Sequence, residues 1–240
     1  MENMNKKYTY EDFLEIIKVL RSENGCPWDK VQTHESLKPC MMEEAAELLA
    51  SIRIYDQTGN AENMREELGD VLLQVVMHAQ IASEEGLFTM ADVVDEVSRK
   101  MVRRHPHVFG TGNADTPEEV LTNWEEIKKE EKKDKEWISS PLREIPQELP
   151  ALTRATKVLK KTDKYYEKGS TYEQDVDALR EAVNVLKTCK AEAYSKELEQ
   201  IMADMLMRLC NIARLYKLSP EQILTDKIED LVEKYEKISL

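Results

Sequence analysis

The side chains of this chain best suited to chemistry are the carboxylates of Glu43-Glu44-x-x-Glu47 and Glu67-x-x-Asp70. A spacing of three residues brings each pair onto one face of a helix. Glu44 shares its stripe with Met41 and Leu48, which reads as a core-facing stripe. Asp70 lies between Leu68 and Val71, and Gly69 beside it is expected to let two helices approach closely. Carboxylates on an apolar stripe are costly without a compensating positive charge. Four of them together raise one another's pKa values. A hard divalent cation with oxygen ligands resolves the conflict. The competing reading is a solvated acidic face paired with Lys and Arg. One such pair fits that reading, whereas the second pair on the following helix favours a metal. Di-iron sites in helical bundles use Glu-x-x-His, a motif this chain lacks. Mg²⁺ is therefore expected over iron, with Mn²⁺ as a substitute.

A second group is cationic and aromatic. Lys100, Arg103 and Arg104 follow at i, i+3 and i+4 and share a helical face. Two readings stay open: a grip on a polyphosphate, with bidentate arginine contacts, or a basic last turn that complements the helix dipole. Trp28 and Trp124 are candidates for stacking on a nucleobase, against the alternative of core or interface tryptophans. Lys30, Gln32 and Thr33 add polar groups to the segment that holds Trp28. His105 and His107 flank Pro106 with no third ligand beside them, and read as solvated or hydrogen-bonded. There is no P-loop, GxGxxG, GxSxG or HExxH sequence.

The elements that must carry these residues are helices. Thr9 caps a helix expected over about Tyr10 to Ser22, with Phe13, Ile16, Ile17 and Leu20 on one face. A loop over 23–36 follows. Pro39 suits the first turn of a second helix, to about Tyr55. A third runs from about Ala61 to Glu85 and stops at Gly86. Thr89 with Asp92 opens a fourth, which ends near Arg104. Thr116-Pro117-Glu118-Glu119 opens a fifth, which bears Trp124 and Lys128. Residues 133–150, with Pro141, Pro146 and Pro150, read as a linker. Further helices are expected at about 151–163, 174–189, 192–216 and 220–237.

Composition agrees. Seven glycines and three phenylalanines among 240 residues disfavour a β-rich fold. A net charge of −13 supplies no broad positive field, which argues against a general nucleic-acid or membrane-surface binder. The polar start, Met1 to Tyr10, has no apolar signal core, and no apolar run reaches membrane-spanning length. Cys26, Cys40, Cys189 and Cys210 form no CxxC pair, which fits a reducing, cytoplasmic setting.

An internal repeat organises the whole. Glu44-Ala-Ala-Glu47-Leu-Leu aligns with Glu181-Ala-Val-Asn184-Val-Leu, Asp70 with Asp204, and the Thr89 cap with Ser219. The expected architecture is all-α, with tandem helical-bundle units: a unit over 1–132, a linker over 133–150 and a second unit over 151–240.

Taken together, Gly25-Cys-Pro-Trp-Asp-Lys30, Gln32-Thr33, Glu43-Glu44-x-x-Glu47, Glu66-Glu67-Leu-Gly-Asp70, Arg103-Arg-His-Pro-His-Val-Phe109, Trp124-Glu-x-Ile-Lys128 and Leu149-Pro-Ala-Leu-x-Arg-Ala155 resemble the MazG nucleoside triphosphate pyrophosphohydrolases. The resemblance covers about residues 10–160 closely. It implies the all-α NTP pyrophosphatase fold, Mg²⁺ dependence, a homodimer, and hydrolysis of nucleoside triphosphates to monophosphate and pyrophosphate. It places metal ligands at Glu44, Glu47, Glu67 and Asp70, phosphate-binding cations at Lys100 and Arg104 with Arg103 adjacent, and a base-contacting tryptophan at Trp124 followed by Lys128. In the second repeat Asn184 replaces Glu47, Ile201 stands at the position of Glu67, and Asp230 and Glu233 match Lys100 and Arg103. That unit is expected to be structural or dimerising, with Glu43 a candidate base in the first. The rival reading is a non-catalytic helical protein that senses nucleotides. Base and sugar preference is not legible, since stacking tolerates any base.

Overall fold

The computed structural model describes residues 6–131, 139–188 and 195–236. They form helices and no strand: α1 Tyr10–Arg21, α2 Lys38–Thr58, α3 Glu62–Glu84, α4 Met90–Arg104, α5 Pro106–Phe109, α6 Pro117–Glu131, α7 Ala151–Tyr166, α8 Tyr172–Thr188, α9 Lys196–Leu215 and α10 Pro220–Glu236. The start of the expected linker and Cys189 lie outside the described residues. The chain divides into compact units at Met1–Lys128 and Lys129–Leu240.

Local chemistry sets most boundaries. Thr9 with Asp12 and Thr89 with Asp92 form reciprocal capping boxes on α1 and α4. Thr116 with Glu119 makes the same exchange on α6, and Thr171 with Gln174 on α8, two residues before the expected start of that helix. The third and second helices end at Gly86 and Gly59, both at φ +71°, where a side chain would be strained. The four-residue α5, opened by Pro106, falls where the sequence suggests only a loop.

Within the first unit, α2 lies against α3, and α3 also packs against α1 and α4. Its core joins Ile17 of α1, Leu37, and Val76, Met77 and Ile81 of α3, with Phe13, Leu20, Cys40 and Met90 around them. Ile16 is left on the exposed side of α1. In the second unit α8 and α7 lie on α9, and α10 on both α7 and α9. One difference stands out. The connection at 22–37 of the first unit is far longer than its counterpart at 167–171, and it contains the 3₁₀ turn Asp29–Val31.

Two packing expectations need correction. A Cβ built on Gly69 meets nothing within 4 Å, so this glycine allows no close helix contact. It faces solvent with Leu68, because α3 buries the opposite stripe. Met41 and Leu48 are half-buried rather than core, because the tight packing of α3 lies further along, from Gln74 to Ala82.

Candidate metal centre

Helices α2 and α3 bring Glu44, Glu67 and Asp70 together. One carboxylate oxygen from each lies within 4.8 Å of the others, the single such cluster of three among the described residues. All three residues are half-buried, whereas Glu43 and Glu47 are exposed. The Glu44 carboxyl is pushed up from the ordinary 4.5 by burial first, then by the charges of Asp70, Glu47, Glu67 and Glu43. Glu47 thus stands outside the tight trio but within electrostatic reach of it. Asn63, one turn before Glu67, donates a 2.8 Å hydrogen bond to Glu67 Oε1 and fixes that carboxylate's orientation. A metal-ligand search by sequence passes over Asn63, although its i−4 spacing from Glu67 was the available signal. Gln74, one turn beyond Asp70, is 5% exposed and its Oε1 has no hydrogen-bond partner.

The cationic face ends α4. Lys100 and Arg104 are half-buried and Arg103 is exposed. The Arg104 guanidinium lies over the Trp124 ring at 5.0 Å. His105 meets Trp124 edge to face at 5.1 Å, and its Nδ1 is 2.6 Å from the Met101 carbonyl oxygen. His107 stands 5.7 Å from His105, its Nδ1 buried without a hydrogen-bond partner. Lys128 is half-buried, 3.9 Å from Glu125.

The connection 22–37 is held at several points. Arg21, its side chain 4% exposed, donates to the Asp29 and Gln32 carbonyls and pairs with Glu84 of α3 at 2.8 Å. His34 and His78 share a hydrogen bond of 2.8 Å between their Nδ1 atoms. Their ring centres are 5.1 Å apart in nearly parallel planes, so the rings meet end to end and do not stack. Lys30 donates to the Glu23 carbonyl at 3.2 Å, and Gln32 to that of Trp28 at 2.9 Å. Trp28 itself is 57% exposed. Sequence reasoning missed the His34–His78 pair, whose partners are separated by 44 positions.

In the second unit the corresponding positions hold two carboxylates, Glu181 and Asp204, in place of four. Glu181, Asn184 and Asp204 are exposed and Ile201 is half-buried. The buried polar groups there are different residues. Asp175, 1% exposed, accepts from Ser170 at 2.8 Å, Arg208 at 2.8 Å and Asn211 at 2.6 Å. Each of these contacts has a partner, which is the signature of a structural network.

Residues 32–109 match the model of the MazG nucleotide pyrophosphohydrolase domain. That window includes the four carboxylates and Lys100 to Arg104 and leaves Trp124 outside. YabN of Bacillus subtilis is 45% identical over 219 residues, 91% of this chain, which spans 44% of that protein's length. The nucleoside triphosphate pyrophosphohydrolase/pyrophosphatase MazG of Thermotoga maritima is 39% identical over 229 residues, covering 95% of this chain and 85% of that protein. The nucleoside triphosphate pyrophosphohydrolase of Escherichia coli K12 is 41% identical over 204 residues, 84% of this chain and 76% of its own.

Proposed function

We infer the function from one premise: the chain belongs to the MazG nucleotide pyrophosphohydrolase family. It is a hydrolase of nucleoside triphosphates that yields the monophosphate and pyrophosphate. The observation that carries this reading is the convergence of Glu44, Glu67 and Asp70 from neighbouring helices to within 4.8 Å.

The trio fits a hard divalent cation, because three oxygen donors are gathered where burial and mutual repulsion already disfavour bare charge. Mg²⁺ is the proposed ion and Mn²⁺ its substitute, with Glu47 a fourth ligand from the next turn of α2. When bound, the ion supplies Lewis acidity and neutralises phosphate charge. The chain's own residues do the remainder. Asn63 keeps Glu67 aimed at the cluster. Glu43 is assigned the proton of the attacking water, from its place beside Glu44. Lys100, Arg103 and Arg104 are assigned the phosphates. Trp28, Lys30 and Lys128 are assigned the nucleoside end.

The second unit is proposed to be structural, since two counterparts of the ligands are replaced, by Asn184 and Ile201, and the other two, Glu181 and Asp204, are exposed. A homodimer is proposed as well. Met42, Leu49 and Ile52 form an exposed apolar stripe along α2, and Leu68 and Leu72 form another on α3. No helix among the described residues is long and apolar enough to cross a membrane. Cys26, Cys40 and Cys210 are free thiols, which supports a cytoplasmic role in clearing the nucleotide pool.

The test is a panel of ribo-, deoxyribo- and modified nucleoside triphosphates with Mg²⁺, the products identified by phosphorus NMR. Monophosphate with pyrophosphate is expected. Diphosphate with orthophosphate, or binding without turnover, contradicts the reading, the latter in favour of a nucleotide sensor.

A further inference from the structure

His34 in the connection 22–37 and His78 on α3 meet Nδ1 to Nδ1 at 2.8 Å. Their ring centres are 5.1 Å apart and their planes differ by 4°. That 5.1 Å equals the 2.8 Å nitrogen separation plus one ring radius at each end, so the rings share a plane and both Nδ1 atoms lie on the line between the centres. This is the line of a single N–H···N hydrogen bond. A shared metal ion would need both lone pairs to converge on a point beside that line. One imidazole therefore donates its Nδ1–H, and the other accepts and keeps its proton on Nε2. A first added proton, on the donor's bare Nε2, leaves the bond in place and gives it a charged donor. A second puts an N–H on both sides of the gap, with two like charges, and the bond is lost.

We infer that the His34–His78 pair is a proton-operated latch, which ties the connection 22–37 to α3 while at most one imidazole is charged and lets go when both are. The inference goes beyond the pyrophosphohydrolase reading and does not depend on it. Burial, and then the charge of His34, holds the His78 imidazole below the usual 6.5, so the second proton arrives below that pH. The residues one turn from His78 on α3, Gln74, Val75, Ile81 and Ala82, are uncharged. Glu85 Oε2 lies 3.9 Å from His34 Nε2 and does not enter the Nδ1 gap. The other charged groups nearby have partners of their own. Arg21 of α1 pairs with Glu84 of α3, Lys18 of α1 with Glu15, and Lys38 of α2 with Glu35. Asp92 of α4 is taken up by Thr89. Arg21 holds the Glu84 carboxyl below 4.5, so the Arg21 anchor of the connection outlasts the latch as pH falls. Trp28 and Lys30 ride on the same connection. Under the pyrophosphohydrolase reading, opening the latch would loosen the segment assigned to the nucleoside.

The test follows amide hydrogen exchange over 22–36, corrected for the intrinsic effect of pH, and the ¹⁵N–¹H spectra of the imidazoles. Both are recorded on the full chain from pH 8 to pH 5, for the wild type, His34→Asn and His78→Phe. At pH 8 the pair should show one Nδ1–H and one Nε2–H ring. As the second ring becomes charged, exchange over 22–36 should rise roughly 3- to 30-fold, as loss of a single hydrogen bond gives, while α2 and α3 stay protected. His34→Asn places an amide where Nδ1 stood, and its oxygen can accept from His78 whether that ring is neutral or charged, so the rise should vanish. His78→Phe should exchange fast at both ends of the range. A rise of equal size in His34→Asn, or no rise in a wild type with both rings charged, overturns the inference. So does a pair that keeps one ring neutral down to pH 5, since the latch then never opens. His34→Asn keeps the test readable if His78→Phe melts early. No readout needs turnover: an inactive chain that shows the switch sinks the enzymatic reading alone, and an active chain without it sinks only the latch.

Discussion

Glu44 is pressed by burial and by the charges of four neighbouring carboxylates, and its carboxyl holds its proton to higher pH than an ordinary glutamate. A raised folded-state pKa costs stability as pH climbs from the unfolded value near 4.5 through the folded one, because the folded chain binds the proton more tightly across that window. Below it the cost is absent. In metal-free protein, Glu44→Gln should therefore raise the melting temperature at neutral pH, with little gain at pH 4. Added Mg²⁺ should reverse the order: the wild type gains about 2.7 kcal/mol at a hundred times its dissociation constant, and the variant gains far less. Melts in EDTA and in Mg²⁺ at the two pH values read this directly, and a variant less stable than wild type in EDTA would count against a strained acidic cluster. The trio was legible in the sequence because the spacing within α3 is local and the i,i+3 rule fixes which side chains share a face. Glu47 shows the limit. Its spacing from Glu44 is equally good, yet its orientation depends on how α2 rolls against α3, which no local rule supplies. Gly69 fails for the same reason: the pattern marks a small residue, but the direction of approach is set by the packing of Gln74 to Ala82.

The connection 22–37 is the element that most separates the first unit from the second, and it is tied down by Arg21 and by the His34–His78 pair. Arg21 holds the Glu84 carboxyl below its usual range, with a further hydrogen bond from Gln80 acting the same way. A depressed carboxylate contributes stability above the unfolded value of 4.5, and that contribution is lost as pH falls through the folded one. Arg21→Ala leaves two carbonyls and Glu84 without this donor, at a cost of about 1–3 kcal/mol. Limited proteolysis should then cut first within 22–36, while α2 and α3 stay protected from hydrogen exchange. Cleavage distributed over the whole first unit would mean that Arg21 supports the fold at large and not this segment. Helix starts at Thr9, Thr89 and Thr116 were readable because a cap and its partner lie three residues apart. The anchors of the long connection were not, since Arg21 and Glu84 stand 63 positions apart and no pattern pairs them.

At the scale of the whole molecule, each unit has one long helix, α3 or α9, with three others against it, but the polar residues of the two units differ. The first unit keeps an acidic cluster, and the second keeps the Asp175, Arg208, Asn211 and Ser170 network. Asp175→Ala strands Arg208 and Asn211 and should cost about 2–3 kcal/mol, less than a fully buried pair because Arg208 is 38% exposed. Denaturant melts should register that loss while the pyrophosphate release rate per folded molecule stays at the wild-type value; a fall in that rate would give the second unit a catalytic part. The exposed stripes on α2 and α3 make a second statement at this scale. Light scattering should give a mass twice 27.8 kDa, and Leu49→Glu, at a residue 68% exposed, should shift it toward the monomer. A wild-type monomer would remove the homodimer. Neither property was readable from periodicity alone, because an apolar stripe looks the same whether its own unit or a second copy covers it.

The most direct test of the acidic centre is the rate of pyrophosphate release by Asp70→Asn with saturating Mg²⁺ and a nucleoside triphosphate. The substitution keeps the side-chain shape and removes the charge assigned to the ion. The expected result is a fall of at least ~100-fold in kcat/KM, beyond what loss of an outer hydrogen bond to a metal ligand causes, with helicity unchanged. Turnover equal to that of the wild type would contradict the assignment of Glu44, Glu67 and Asp70 as the seat of catalysis.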